Sequence, residues 1–363
     1  MPRQARHGVS EEFIRPAIKG IREYVPGKTP KEPGVIKLAS NENPFGPSPK
    51  ALTAIAREAK MLQTYPDQKS LLLREALAKK LQIKDENILI GNGSDEIMQL
   101  AAAAFLMPGE EVIIPEHTFS LYEFVARIFD GRLVFVPLKD NEQDLEATAK
   151  AVTPKTKLIF LCNPHNPTGT LISRKVLHDF LTKVPENVLV VIDEAYIEFA
   201  DPKIAPESIS YVLEGKNVLV LRTFSKFYGL AGLRVGYGVA KPELIKYLFR
   251  VKPPFNVSRL AQAGGKAALG DKKFLDKTHK NNLEGKKYLY TELDSLGLGY
   301  KRTESNFIFI NIKRPADELF LLLMKAGVII RPLTSFGLPE AIRVSIGTKE
   351  QNEKFVRALS ACL

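Results

Sequence analysis

The sequence predicts an α/β fold: a large domain whose mostly parallel sheet is covered by helices, followed by a smaller α/β unit. Three observations carry that reading. A short apolar run rich in β-branched residues, a turn and a helical stretch recur in that order, as parallel strands joined by crossover helices do in sequence. Some of the runs, such as Val188-Leu189-Val190-Val191-Ile192, are apolar at every position, because a strand buried on both faces has no polar side. The length, 363 residues, makes roughly two domains at a scale of about 150 residues each.

In chain order, residues 1–41 are expected to form an N-terminal arm. Pro26, Pro30 and Pro33, with Pro44, Pro47 and Pro49 just beyond, remove backbone donors and resist helix and sheet. The arm should therefore run over the surface or over a partner subunit. Residues 42–252 are expected to form the large domain. Its strands fall at 88–90, 112–114, 133–136, 158–162, 188–192 and 218–221. Helices are expected from Ser94 to near Met107, over 118–129, over 145–151 and over 174–182. Lys252-Pro253-Pro254 opens a different pattern, a long Lys-rich helical stretch over 259–296. Strands at 307–312 and 342–346 then flank a helix over 316–326. Residues 253–363 are accordingly expected to be the smaller C-terminal domain.

Composition excludes several classes. Hydrophobic residues at 45% and charged residues at 26% are those of a folded globular protein. Fifty-two Lys and Arg against 41 Asp and Glu leave a net charge of +11, which raises a nucleic-acid hypothesis. The basic residues, however, come as scattered pairs such as Lys79-Lys80 and Lys286-Lys287 beside acids, so no nucleic-acid partner is expected. Two cysteines, Cys162 and Cys362, are too few for a disulfide framework or a zinc site, and no metal is expected. The first twenty residues mix Arg3, Arg6 and Arg15 with Glu11 and Glu12, unlike a signal peptide, and the longest apolar run, Leu100 to Met107, is too short to span a membrane. The expected location is the cytoplasm.

Ligands in open α/β sheets bind beyond the carboxyl ends of the strands, and four such places carry unusual residues. Gly91-Asn92-Gly93-Ser94-Asp95-Glu96 opens a helix after a strand, an arrangement suited to a phosphate but equally to an ordinary capped turn. Asn163-Pro164-His165-Asn166-Pro167-Thr168-Gly169 is a loop stiffened by two prolines that can hold the Asn166 amide in a fixed direction. Asp193 ends a wholly apolar strand, where an ionised carboxylate requires a cationic partner. Thr223-Phe224-Ser225-Lys226, with Arg222 and Arg234 nearby, places a lysine where burial and like charge lower its pKa and free its amine. Together the four meet the requirements of pyridoxal phosphate: an amine for the aldehyde, a carboxylate for the ring nitrogen, donors for the ring oxygen and a cup for the phosphate.

These residues resemble the fold type I aminotransferases over nearly the whole chain. The resemblance rests on Tyr24-Val25-Pro26-Gly27-Lys28, Leu38-Ala39-Ser40-Asn41-Glu42-Asn43-Pro44, Tyr65-Pro66-Asp67, Asn166-Pro167-Thr168-Gly169, Asp193-Glu194-Ala195-Tyr196 and the run from Leu221 to Gly238. It is narrower toward the branch that exchanges the amino group of L-histidinol phosphate with 2-oxoglutarate. Branches acting on aromatic amino acids or decarboxylating threonine phosphate share the framework. The resemblance implies that Lys226 binds the cofactor and shuttles a proton, that Asp193 faces the ring nitrogen, and that Asn166 and Tyr196 face the ring oxygen. It implies Phe119 stacked on the ring, and Ser94, Asp95, Thr223, Ser225 and Arg234 around the phosphate. Tyr65 is implied to reach the neighbouring subunit's cofactor in a homodimer. Arg343, with Arg331 and Tyr24, is implied to hold the anionic end of a small-molecule substrate. The loop departs from the family's usual Asn-Pro-Asn-Asn-Pro-Thr-Gly at His165, which is given no catalytic role.

Overall fold

A computed structural model of the chain describes residues 13–21, 23 and 33–363. Its centre is a seven-stranded sheet. In chain order the strands are β1 (Ile88–Gly91), β2 (Glu111–Pro115), β3 (Arg132–Val136), β4 (Thr156–Cys162), β5 (Leu189–Asp193), β6 (Val218–Thr223) and β7 (Gly236–Val239). Their spatial order is β1-β7-β6-β5-β4-β2-β3. β2, β3, β4, β5 and β6 pair in parallel, and β7 alone runs antiparallel to its neighbours, β1 and β6.

Side chains alternate across a strand, and the apolar runs feed two cores accordingly. Ile159, Leu161, Val190, Ile192, Val218 and Val220 enter one cluster with Leu73, Leu77, Leu177, Phe180 and Ala261. Leu158, Phe160, Cys162, Val191, Leu219 and Leu221 enter the other with Ile97, Met98, Tyr122, Val125 and Leu248. The sheet is thus covered by helices on both faces, as the apolar runs require.

The six strands expected in the large domain are all present. β7 is an addition that the apolar pattern does not announce, because its sequence, Gly-Tyr-Gly-Val, has glycine at alternate positions. The glycines answer to crowding. A Cβ on Gly236 would stand 2.5 Å from the Ser94 backbone nitrogen and 2.8 Å from the Gly93 carbonyl carbon. The helical stretch expected over 259–296 is broken into Arg259–Leu269 and Lys272–Ser295. At the break, the Asp271 carboxylate accepts hydrogen bonds from the Ser48 hydroxyl (2.7 Å) and the Lys50 N–H (3.2 Å). It thereby ties the break to the start of helix Pro49–Glu58.

The chain beyond Lys252 does not all leave the large body, since Val257, Ala261 and Ala268 belong to the first large-domain cluster. A third cluster begins with Leu289 and Leu293 and takes in Ile308, Leu319, Leu323, Val344 and Phe355, together with Leu38 and Ala39. It covers a four-stranded antiparallel sheet of β8 (Gly299–Tyr300), β9 (Phe307–Asn311), β10 (Arg331–Pro332) and β11 (Ala341–Ser345), in the order β8-β9-β11-β10. Ile36 and Lys37 pair in parallel with Val328 and Ile329. Pro26, Pro30 and Tyr24 lie outside the described residues.

Gly236→Ala should destabilise the protein by about 1–3 kcal/mol, the usual cost of overpacking. The Cβ would meet backbone, which cannot move aside as a flexible side chain can. Urea unfolding that matches the parent chain would show that this approach is not tight.

Candidate active site

The parallel strands bring the four unusual segments to one edge. Cys162 at the end of β4 pairs with Asp193 at the end of β5, and Asp193 pairs with Leu221 of β6. Thr223 of β6 pairs with Gly236, which in turn pairs with Gly91 at the end of β1.

One end of the site is built for an anion. Helix Ser94–Phe105 starts at Gly93 with no side-chain cap, so its first N–H groups and positive dipole end are unanswered by a cap. Arg234, held in the left-handed region at φ 53°, lays its guanidinium over this turn. Its Nη2 lies 2.7 Å from where a Cβ on Gly93 would stand, and Gly93 has a φ of +81°, a left-handed conformation that favours glycine. Asp95 Oδ2 accepts from the same nitrogen at 3.1 Å; the anion in the cup thus orients the arginine. The Thr223 hydroxyl donates to Ser225 Oγ (2.9 Å) and accepts from the Ser225 N–H (3.1 Å).

Lys226 follows directly. Its ammonium donates to the Ser40 carbonyl at 2.9 Å, and its pKa is brought down to about 8, first by desolvation and then by the guanidinium of Arg343, with a smaller push from Arg234. The expectation that Arg222 contributes is corrected. Arg222 falls on the opposite face of β6 and is spent on Glu194, which accepts at 2.8 Å from a fully buried position. The neighbour that does act, Arg343, is more than a hundred residues away in sequence.

Asp193 is buried, and burial raises its carboxyl pKa to about 6. Among the described residues no Lys, Arg or His forms a salt bridge with Asp193. Its carboxylate accepts from the Tyr122 hydroxyl (2.7 Å) and the Ala195 N–H (3.2 Å). Tyr122 is a residue that sequence reasoning missed; it stands three positions after Phe119, but nothing in a helical tyrosine signals a carboxylate on another strand.

Between these ends the donors are prearranged. Arg343 Nη1 donates to the amide oxygen of Asn166, and its Nη2 donates to the Ala39 carbonyl at 2.9 Å. With its oxygen occupied, Asn166 turns its NH₂ group the other way. Tyr196 accepts from Asn41 Nδ2 at 3.0 Å, which leaves its own O–H to donate; burial pushes its pKa up. Asn41, also missed as a site residue, has a left-handed φ of 56° and accepts at Oδ1 from the Ser345 hydroxyl (3.0 Å).

The remaining expected residues are distributed as follows. Phe119 meets Tyr122 edge-on, with ring centroids 5.8 Å apart. Arg331 stands opposite Arg343 on β10 and donates to Ser335 Oγ at 3.2 Å. His165 is wholly buried, shares a hydrogen bond with Thr168 Oγ1 at 2.9 Å, and is lowered by burial to about 3, so it is a neutral loop brace. Tyr65 is 80% exposed and stacks on Phe255 at 4.7 Å. Tyr24 lies outside the described residues.

The groups left over define a complement: an uncapped helix start, a buried carboxylate without a cation, two directed donors and a desolvated amine. A phosphorylated pyridine aldehyde with a ring hydroxyl presents the matching partner for each. Among the described residues no cluster of His, Cys, Asp and Glu could hold a metal ion. No helix among them is long and apolar enough to cross a membrane.

The chain belongs to the aminotransferase class I and II family, whose model matches residues 33–359, and its fold is that of the fold type I enzymes. Within that family it is 50% identical over 357 residues to the histidinol-phosphate aminotransferase of Moorella thermoacetica, covering 96% of this chain and 92% of the relative. It is 44% identical to that of Symbiobacterium thermophilum, covering 96% and 98%. The crystal structure of the histidinol-phosphate aminotransferase from Sinorhizobium meliloti in complex with pyridoxal-5'-phosphate matches with a TM-score of 0.90 at 27% identity, covering 98% of each chain.

The charge of Asp193 makes a prediction for the protein free of cofactor. Its pKa is higher in the folded state than the usual unfolded value of about 3.9, so its penalty is absent below that value and grows as pH rises through about 6. Asp193→Asn should therefore stabilise the cofactor-free protein by up to about 3 kcal/mol at pH 8 and by little at pH 4. Equal effects at the two pH values in urea unfolding would contradict this.

Proposed function

We propose that this chain catalyses transamination between L-histidinol phosphate and 2-oxoglutarate with pyridoxal phosphate as cofactor, a step of histidine biosynthesis. The observation that carries the reading is that the Lys226 amine and the buried Arg343 guanidinium bond adjacent backbone carbonyls, those of Ser40 and Ala39, each at 2.9 Å. It sets a nucleophilic amine beside a group that binds anions, in a chain half identical to a histidinol-phosphate aminotransferase.

Pyridoxal phosphate, when bound, supplies an aldehyde and an electron-withdrawing ring that makes the Cα–H of an amino substrate acidic. The protein's residues do the rest. Asp193 holds a proton on the ring nitrogen, gaining there the cation it lacks in the chain. Asn166 and Tyr196 donate to the ring oxygen, and Ser94, Thr223, Ser225 and Arg234 take the phosphate, with Asp95 orienting Arg234. Phe119 covers the ring. Lys226, lowered to about 8, has an appreciable neutral fraction near pH 7 and can accept the Cα proton and return it. Arg343, with Arg331 and Tyr24, holds the remote phosphate of one substrate and the remote carboxylate of the other, because a planar guanidinium donates two hydrogen bonds to either oxyanion.

The same reading makes the enzyme a cytoplasmic homodimer in which Tyr65, exposed and stacked on Phe255, reaches the partner's phosphate cup.

Borohydride reduction should fix the cofactor on Lys226, and Lys226→Ala should abolish turnover. Arg343→Lys should raise KM for both substrates, and histidinol should fall far behind its phosphate, since it forfeits the charge-assisted hydrogen bonds a guanidinium makes to a phosphate. An adduct on another lysine, or a preference for phenylalanine, tyrosine or threonine phosphate, would overturn the assignment. For the dimer, hybrids of Tyr65→Phe and Lys226→Ala subunits carry one site with neither lesion. They should regain activity relative to the two inactive parents, and hybrids of known composition that stay inactive would refute the shared site.

A further inference from the structure

One buried side chain outside the expected set touches two of its members and reaches a third through Cys162. Tyr122 has no exposed surface. Its hydroxyl donates to Asp193 Oδ2 at 2.7 Å, and its ring meets Phe119 edge-on at 5.8 Å. The hydroxyl also interacts with the Cys162 thiol, whose sulfur in turn accepts the Asn166 N–H at 3.3 Å. The ring is clamped from behind by Phe160, stacked at 5.0 Å with an interplanar angle of 8°. A phenol held this rigidly cannot follow Asp193 if the carboxylate turns; it fixes the carboxylate instead.

We propose that Tyr122 is a positioning residue for the transamination site, its hydroxyl holding the Asp193 carboxylate ionised and aimed at the ring nitrogen of the cofactor. The inference rests on the cofactor reading above and deepens it. Buried carboxylates tend to take up a proton, and a proton on Asp193 would remove the anion that keeps the ring nitrogen charged. A hydrogen bond to the charged form opposes this. Ala195 supplies the only other hydrogen bond to the Asp193 carboxylate found among the described residues, at 3.2 Å. The charged groups acting on Asp193, Asp95 and Glu194, both favour its protonated form. Tyr122 is thus the side chain that works against protonation.

The test is a double-mutant cycle on cofactor affinity, read by titrating cofactor-free protein with pyridoxal phosphate and following its absorbance. Tyr122→Phe keeps the ring and its stacking and removes one oxygen. It should weaken binding about tenfold, the scale of a hydrogen bond to a charged group, and shift the acid limb of the binding profile to higher pH. In an Asp193→Asn background the same substitution should change affinity less than about twofold, because there is no longer a charge to hold. An equal loss in both backgrounds would overturn the proposal by showing that the hydroxyl serves packing. So would no loss in either, or a Tyr122→Phe chain that fails to fold where Asp193→Asn folds. Parent protein that binds no pyridoxal phosphate at all would defeat the cofactor reading itself, a result distinct from tight binding that ignores Tyr122.

Discussion

The site is organised around a carboxylate that forms no salt bridge with any of the described residues. An ionised Asp193 at the end of a wholly apolar strand costs free energy, which is why its pKa rises to about 6. One residue and one strand away, Glu194 and Arg222 answer buried charge with buried charge. At the Asp193 carboxylate the described residues offer a phenol and a backbone N–H. The free energy left unrecovered is available to whatever cation enters, so the same feature that strains the cofactor-free fold favours binding of a protonated ring.

The alternation of a β-strand then decides which face of the sheet becomes the site. Cys162, Asp193, Leu221 and Thr223 share the face of Tyr122 and the helix beginning at Ser94, while Arg222 falls on the other. A slip of one residue in any of these strands would exchange the two sets. The continuous apolar packing on both faces fixes the register, and the site inherits that precision.

The smaller sheet completes the site by reaching back into it. Arg343 of β11 bonds Asn166, in the loop after β4 of the larger sheet, and Ala39. Asn41 is held by Ser345 and Asn306 and itself bonds Tyr196. Lys226 bonds Ser40. The stretch from Ala39 to Asn41 therefore lies between both bodies and contacts the lysine, the tyrosine and the arginine at once. Movement between the bodies would alter all three contacts together.

Strands β1 to β6 and the polar residues at their ends are legible in the residue order alone. Apolar runs over β1 to β6 are long enough to be unmistakable, and polar residues directly after them are costly unless used, so Ser94, Asn166, Asp193 and Lys226 stood out. β7 emerges only in the fold, where Gly236 answers to the Ser94 turn and Gly238 to the side chains of Ile97, Leu219 and Leu221 rather than to a hydrophobic pattern. Tertiary structure also decided the break at Asp271 and the partners of each charged group. Arg222 was expected beside Lys226 because it is near in sequence, yet a strand sends neighbouring side chains to opposite faces, and Arg343 arrives from another sheet. Tyr122 and Asn41 stayed illegible for the same reason: a hydrogen bond between residues 71 or 155 positions apart leaves no local pattern, since neither residue needs its partner in order to form its own element.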